Sequence, residues 1–293
     1  ASDAPHAIYY TFIHGWLESH LPEDTLYVNP DGRPRTLNAQ KYLSAQRLEV
    51  RPRDNLLLGL SQGVIYGDRG VQLAYLTPVN FLYSVQHSQD DKDNFLLGFD
   101  GTWRPIRGLK LYGEALFDDI VVGDLTTSSG NNKSAYTVGF QGIIPADILR
   151  QFDATLEYTK IRPFVYTHFF ASNIYTHWTS PLGYSQEPNS DYFTAQLRYT
   201  FYPVQASIMA SRQRHGSNAD GRNAGGDIYL PSYDGNSAIY PFLAGKLNKT
   251  SRFGVALNVE LLPNLNLFGS GQVVKATNTS ERFETNFGFG WNL

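Results

Sequence analysis

Apolar and polar residues alternate with a period of two along much of this chain. Between 191 and 202, Phe193, Ala195, Leu197, Tyr199 and Phe201 share one face, and Thr194, Gln196, Arg198 and Thr200 share the other. From 252 to 261, Phe253, Val255, Leu257, Val259 and Leu261 oppose Arg252, Asn258 and Glu260. From 283 to 292, Phe283, Phe287, Phe289 and Trp291 oppose Glu284, Asn286 and Asn292, and from 94 to 104, Phe95, Leu97, Phe99 and Trp103 oppose Asn94, Asp100, Thr102 and Arg104. Weaker alternation covers 6–18, 39–51, 55–66, 109–118, 132–142, 152–163, 204–214 and 265–275, which makes twelve candidate strands. Side chains of a strand point to opposite faces in turn, so this period predicts strands with one greasy face.

Alternation alone fits either a soluble sandwich, apolar face inward, or a membrane barrel, apolar face outward. The connections separate the two. Those at 51–54, 104–108, 203 and 262–264 are short and Pro-bearing, and 143–151 is a little longer. The long ones are 19–38, 67–93, 119–131, 164–190 and 215–250. Threaded up and down, all the short turns fall on one side with both termini. The long connections, and the shorter 276–280, fall on the other. Short periplasmic turns and long extracellular loops are the habit of bacterial outer-membrane barrels. Aromatic positions agree: Trp103, Phe201, Tyr202 and Trp291 fall at periplasmic ends and Tyr66, Phe95, Tyr192, Phe253 and Phe283 at outer ends, as two interface girdles require. The expectation is an all-β, antiparallel, up-and-down transmembrane β-barrel in the outer membrane of a Gram-negative-type bacterium. It reads as one domain over 1–293, with room for strands upstream.

Composition narrows the functions. The chain of 293 residues carries 24 Lys+Arg against 27 Asp+Glu, a formal charge of −3, so bulk charge does not draw it to nucleic acid. It has no Cys, which excludes disulfide scaffolds and thiol chemistry. Mean hydropathy is −0.32, and no apolar run approaches the roughly 18 residues of a membrane helix. A tilted membrane strand needs only about 9–11 residues with half of them facing lipid, which reconciles modest hydropathy with a greasy wall. The last strand alternates aromatics to Trp291-Asn292-Leu293, an imperfect version of the C-terminal insertion signal of outer-membrane proteins. The start, Ala1-Ser2-Asp3-Ala4, has no initiator Met and reads as a processed form or the later part of a longer protein.

The loop 164–190 is the most unusual segment. Its Tyr166, His168, Tyr175, His177, Trp178 and Tyr184 suit a glycan, since sugar C–H faces stack on aromatic rings. The competing reading is that these rings pack the loop upon itself, and alternation at 165–169 suggests that part of it continues the strand. Loop 215–250, with Arg222, Asp227, Tyr229, Tyr233, Asp234, Tyr240 and Phe242, reads as a plug, a cap, a partner site or a solvated loop. Asp90, Asp91, Asp93 and Asn94 crowd oxygen atoms but read as a solvated turn rather than a calcium loop. Asp118, beside Asp119, reads as a structural acid that bonds a neighbouring loop. On the inward face stand Arg47, Glu49, Asp100, Glu114, Glu157, Arg198 and Glu260, whose mixed signs suit ion pairs in a lumen. Neither G-x-S-x-G nor H-E-x-x-H occurs, and catalysis, metal and cofactor are not expected.

One stretch resembles a known family. Lys41-Tyr42-Leu43-Ser44-Ala45-Gln46-Arg47-Leu48-Glu49-Val50 leads into Gly63-Val64-Ile65-Tyr66-Gly67-Asp68-Arg69-Gly70. Ala74-Tyr75-Leu76-Thr77-Pro78-Val79-Asn80-Phe81, Asp91-Lys92-Asp93-Asn94 and Leu111-Tyr112-Gly113-Glu114-Ala115-Leu116-Phe117-Asp118-Asp119-Ile120 follow. In this order the blocks resemble the Wzi-type capsule-assembly outer-membrane family, over about a third of the chain; Thr77 stands where that family commonly has Asn. The resemblance implies the later part of a larger barrel. It implies a non-enzymatic function, binding or organising surface polysaccharide through extracellular loops. The partners expected are outer-membrane lipid, surface polysaccharide and other envelope proteins. A porin for small solutes and a structural subunit of an envelope complex remain the alternatives.

Overall fold

The computed structural model describes residues 7–21, 26–28, 32–36, 40–88, 92–118, 133–143, 151–230, 241–277 and 279–291. Its main feature is one 12-stranded sheet in which each strand pairs antiparallel with its neighbour in sequence. The strands are β1 (Ile8–Glu18), β2 (Gln40–Arg53), β3 (Leu56–Gly67), β4 (Asn94–Trp103), β5 (Leu109–Asp118) and β6 (Lys133–Ile143). They continue as β7 (Phe152–Ile161), β8 (Ser190–Phe201), β9 (Val204–Ser217), β10 (Lys246–Leu262), β11 (Leu265–Ala276) and β12 (Arg282–Trp291). All twelve predicted strands are present. Boundaries shift: β10 begins at Lys246, well before the predicted 252, β9 runs on to Ser217, and β7 stops at Ile161, so 165–169 does not continue the strand. Among the described residues β1 and β12 are the outer members, each paired on one side.

Register assigns every side chain to a face. Leu48 lies opposite Leu60, Leu60 opposite Phe99, and Phe99 opposite Ala115. On the far strands Leu197, Ile208 and Val255 lie opposite one another on the same face. Leu60, Phe99, Leu197, Ile208, Val255, Phe287 and Phe289 are exposed on this face, which is the outward wall. Exposed large apolar side chains in such number signal contact with lipid rather than water. The opposite face carries Arg47, Glu49, Asp100, Glu114, Glu157, Arg198 and Glu260 and is the inner one. There Arg47 forks onto the Asp100 carboxylate and also donates to Glu49 at 3.3 Å. Tyr112 donates to Glu157 at 2.7 Å, and its ring lies over Gly139, where a Cβ would collide with it.

Part of the outer girdle is revised. Tyr192 shares the inner face with Thr194 and Gln196, since Phe193 is the outward residue of that pair. Tyr66 and Phe95 do point outward, but neither meets lipid. Between β3 and β4 the chain forms a 3-10 turn, Leu73–Leu76, and a short helix α1, Leu82–Ser88, and folds back onto the outward wall. A compact core results, built from Tyr42, Val64, Tyr66, Tyr75, Leu82, Val85 and Phe95. The polar backbone of this cover is satisfied from the strands below. Ser44 donates to the Tyr75 carbonyl at 2.8 Å, and Gln62 both donates to the Asn80 carbonyl and accepts from the Leu82 amide.

Asp93 anchors this cover. It is fully buried and accepts from Arg69 at 2.6 Å and from the Tyr75 hydroxyl at 2.6 Å. Asn94, equally buried, donates to the Asn173 carbonyl at 2.9 Å. These two are structural rather than solvated, contrary to the expectation above; Asp90 and Asp91 lie outside the described residues. Asp93→Ala leaves Arg69 and Tyr75 without their shared acceptor and is expected to cost about 2–3 kcal/mol. Tyr75→Phe, which keeps the ring and loses one bond, is expected to cost about 1 kcal/mol. Urea unfolding of the micelle-bound protein, followed by tryptophan fluorescence, measures both.

Candidate functional site

The loop from 162 to 189 folds over the inner face and caps the extracellular mouth. It leaves β7 and rejoins at β8, yet it reaches the far side of the sheet. The Trp178 amide donates to the Glu18 carbonyl at the end of β1 at 2.8 Å, and the Glu18 amide donates to His177 Nδ1 at 3.1 Å. Lys41 on β2 donates to Thr176 Oγ1 at 3.1 Å. Asn173 Nδ2 donates to the Lys92 carbonyl at 2.7 Å, and Lys133 donates to the Thr167 carbonyl at 3.2 Å. The Tyr166 amide donates to the buried Asp118 carboxylate, which gives Asp118 the loop-bonding role expected of it. Asp119 lies outside the described residues.

Asn189 holds the other end of the lid. Its side-chain amide donates to the carbonyls of Gly216 at 2.7 Å and Ala244 at 3.0 Å, and its Oδ1 accepts from the Leu243 amide at 2.7 Å. It is fully buried with φ 55°, a left-handed conformation that Asn adopts readily. Phe164, Tyr166 and Trp178 are also left-handed, with φ of 63°, 71° and 49°. For such bulky residues this costs about 1–2 kcal/mol each, so packing must enforce it. The segment 218–230 lies above and supplies that packing: the Phe164 amide donates to the Gly225 carbonyl at 3.0 Å, and Ile228 joins Ala135, Ile161, Val165 and Tyr166 in a buried cluster. Of the residues singled out in loop 215–250, Tyr233, Asp234 and Tyr240 lie outside the described residues.

The lid divides its six predicted glycan residues into three groups. Tyr166, Tyr175 and Tyr184 turn inward and roof a cavity of about 400 Å³ whose floor includes Arg47, Asp100, Glu114, Thr137 and Thr159. Tyr166 and Tyr175 stack at 5.7 Å, and Gly183 leaves the room that the Tyr166 ring occupies. Burial raises the pKa of both hydroxyls, so they remain protonated donors at neutral pH. His168 is buried, stacks on Phe169 at 4.4 Å and accepts from the Phe170 amide at 3.1 Å. His177 and Trp178 face outward, with Trp178 59% exposed. Tyr229 stands beside them, its hydroxyl donating to the Thr179 carbonyl at 3.0 Å and its ring 4.9 Å from that of His20. Lys41, His20 and Asn189 carried no sequence signal. Lys41 and Asn189 are lone polar residues buried by long-range loop contacts, and His20 is half-buried beside Tyr229.

An all-antiparallel meander, greasy outside, charged inside and capped at its long-loop end, defines an outer-membrane β-barrel protein of the Gram-negative type. The family model of the capsule assembly protein Wzi matches residues 7–287, and the chain belongs to that family. Among solved structures, the chain is similar to Wzi of Escherichia coli, an outer membrane protein involved in group 1 capsule assembly and described as a carbohydrate-binding β-barrel. Identity is 14% and the TM-score 0.60, over 96% of this chain and 55% of that one, so the chain spans about half the length of that structure. The siderophore receptor PirA from Acinetobacter baumannii superposes at a TM-score of 0.45, with 6% identity over 98% of this chain and 41% of the receptor. The NanC porin superposes at 0.32, with 7% identity over 98% of this chain and 99% of the porin. Neither of these two informs function. The comparison with curated proteins finds no match.

The lid carries a pH dependence. His20 is half-buried, its Nδ1 inaccessible and unpartnered among the described residues, and this desolvation, together with the Lys41 charge, pushes its pKa down from 6.5 to about 4. His20 binds a proton more readily once the lid has opened, so closure weakens as pH falls, and its contribution is lost between about pH 6.5 and 4. Amide hydrogen exchange of 174–182 is expected to lose protection on acidification over that range, after correction for the intrinsic pH dependence of exchange, with His20→Phe flattening the response.

Proposed function

We propose that the protein is non-enzymatic and holds surface polysaccharide at its capped extracellular mouth, with Trp178 as the stacking platform. The observation that carries this reading is the exposed Trp178 indole on a lid tied at both ends. A left-handed backbone and a bond to the end of β1 fix its place. A largely exposed Trp with a conformationally costly backbone contributes little to packing the lid. It is suited to the C–H face of a sugar ring. His177 and Tyr229 provide polar atoms beside it for hydroxyl groups. The inward tyrosines play a different part: they roof the cavity and make the platform rigid. Rigidity matters because an ordered site loses less entropy on binding. The lid over the mouth also supports this reading over that of an open channel. Other envelope proteins are further candidates for the same exposed surface.

Binding of purified surface polysaccharide to the protein in detergent micelles, followed by biolayer interferometry, tests the proposal. Trp178→Ala is expected to weaken binding about tenfold, the loss of one well-placed aromatic contact, with the heat-modifiable gel mobility of the folded barrel unchanged. Tyr175→Phe, which keeps the buried ring, is expected to leave binding within about twofold. Equal binding by wild type and Trp178→Ala overturns the assignment of the platform.

A further inference from the structure

The outward wall changes character at the extracellular ends of β7 to β11. Register places Lys160 opposite Asp191, Asp191 opposite Arg214, and Arg214 opposite Lys249, a row straight across four strands. One step below, Arg212 lies opposite Ser251, and Ser251 opposite Lys275. Arg162 stands close enough to Lys160 to repel its charge. Six cations thus gather on one wall of a chain whose net charge is −3. The two acids among them are already engaged. Asp191 is buried and accepts from Arg214 Nε at 2.9 Å, from Arg214 Nη2, and from the Tyr158 hydroxyl at 3.0 Å. Glu281 accepts from Lys275 at 3.0 Å. Among the described residues no carboxylate pairs with Lys160, Arg162, Arg212 or Lys249.

This arrangement disfavours the fold by itself. Like charges directly opposite each other on neighbouring strands, as Arg214 and Lys249 are, repel. Arg212 and Lys249 are exposed rather than drawn to an internal partner. What lies beneath indicates the missing counter-charge. On the same face, Phe193 is opposite Arg212 and next to the row, and Phe253, Ile208 and Val255 continue downward, all exposed. From the extracellular side the wall reads cations, then aromatics, then aliphatics. That is the vertical profile of an amphiphile with an anionic head and acyl chains. On β2 to β4 the extracellular ends of the same face lie under the 3-10 turn and α1 instead.

We propose that this wall binds a phosphorylated glycolipid of the outer leaflet, of the lipid A class. Its phosphates sit between Arg212 and Lys249, and its acyl chains lie along Phe193, Phe253 and Val255. The guanidinium fork of Arg212 and the point charge of Lys249 are both suited to phosphate oxygens. The unbroken apolar wall below commits the site to a membrane lipid rather than to free phosphate or a soluble polyanion. The contact would fix the rotation of the barrel in the leaflet, so that β7 to β11 always face glycolipid.

The test reconstitutes the full chain in phosphatidylcholine nanodiscs doped with bisphosphorylated lipid A and counts the lipid retained per protein by native mass spectrometry. Arg212→Gln with Lys249→Gln is expected to reduce retention at least about tenfold, at roughly a fivefold effect per cation beside an anionic headgroup. The charge-keeping pair Arg212→Lys and Lys249→Arg is expected to retain most of it. If the double variant does not fold, Arg212→Gln alone carries the test through an expected loss of about fivefold. Dephosphorylated lipid A is expected to bind wild type no better than it binds the Gln variants. Undiminished retention by the folded Gln variants overturns the proposal. So does full displacement of lipid A by inorganic phosphate, or by dextran sulfate, at equal phosphate or sulfate concentration, because the site would then recognise charge without lipid.

Discussion

Everything in this molecule follows from the absence of water in the bilayer core. A backbone N–H or C=O in hydrocarbon has no solvent partner, and leaving one unpaired costs several kcal/mol. The chain meets this demand with a meander in which every strand lies beside its sequence neighbour, so each pairing forms at short loop-closure cost. Once pairing is settled, the pleat decides the rest. One face must be apolar because it meets lipid, and the other is free to carry Arg47, Asp100, Glu114 and Glu157.

The inner face, released from lipid, is used for binding the lid. Asp118, Lys41, Asn94 and Lys133 each end a strand at the mouth, and each holds a different point of the 162–189 loop or of its surroundings. Such bonds between residues far apart in sequence close the mouth at the side opposite the loop's own strands. The partial desolvation of His20 at the mouth makes closure sensitive to protons. The left-handed Phe164, Tyr166 and Trp178 record how tightly the lid is constrained. Strain of that kind survives only where the packing beneath outweighs it.

The outward wall is not uniform either. On β2 to β4 its upper part is sealed by the chain itself, through a core with a buried Asp93, Arg69 and Tyr75 network more typical of a water-soluble domain. On β7 to β11 the extracellular ends carry a group of cations, of which Arg212 and Lys249 are exposed. The two halves therefore present different chemistry to the headgroup layer, and the protein has a preferred side in the membrane.

The strands, their order and the up-and-down alternation of short and long connections were legible in the sequence alone. They rest on covalent geometry: successive Cβ atoms point to opposite sides, and a change of loop length marks a change of membrane side. The resemblance of the 40–120 blocks added the family. The destinations of the long loops were not legible. Loop 67–93 gave no sign that it folds down the outer wall, nor that it takes Tyr66 and Phe95 out of the lipid girdle. Loop 164–190 announced its aromatics but not their division, with Tyr166, Tyr175 and Tyr184 inward, His168 buried and Trp178 outward. Those outcomes depend on contacts such as Trp178 with Glu18 and Asn173 with Lys92, which join residues on different strands of a finished sheet. A local pattern records the face of a strand. Which distant partner captures a loop is decided only when the whole sheet brings that partner within bonding distance.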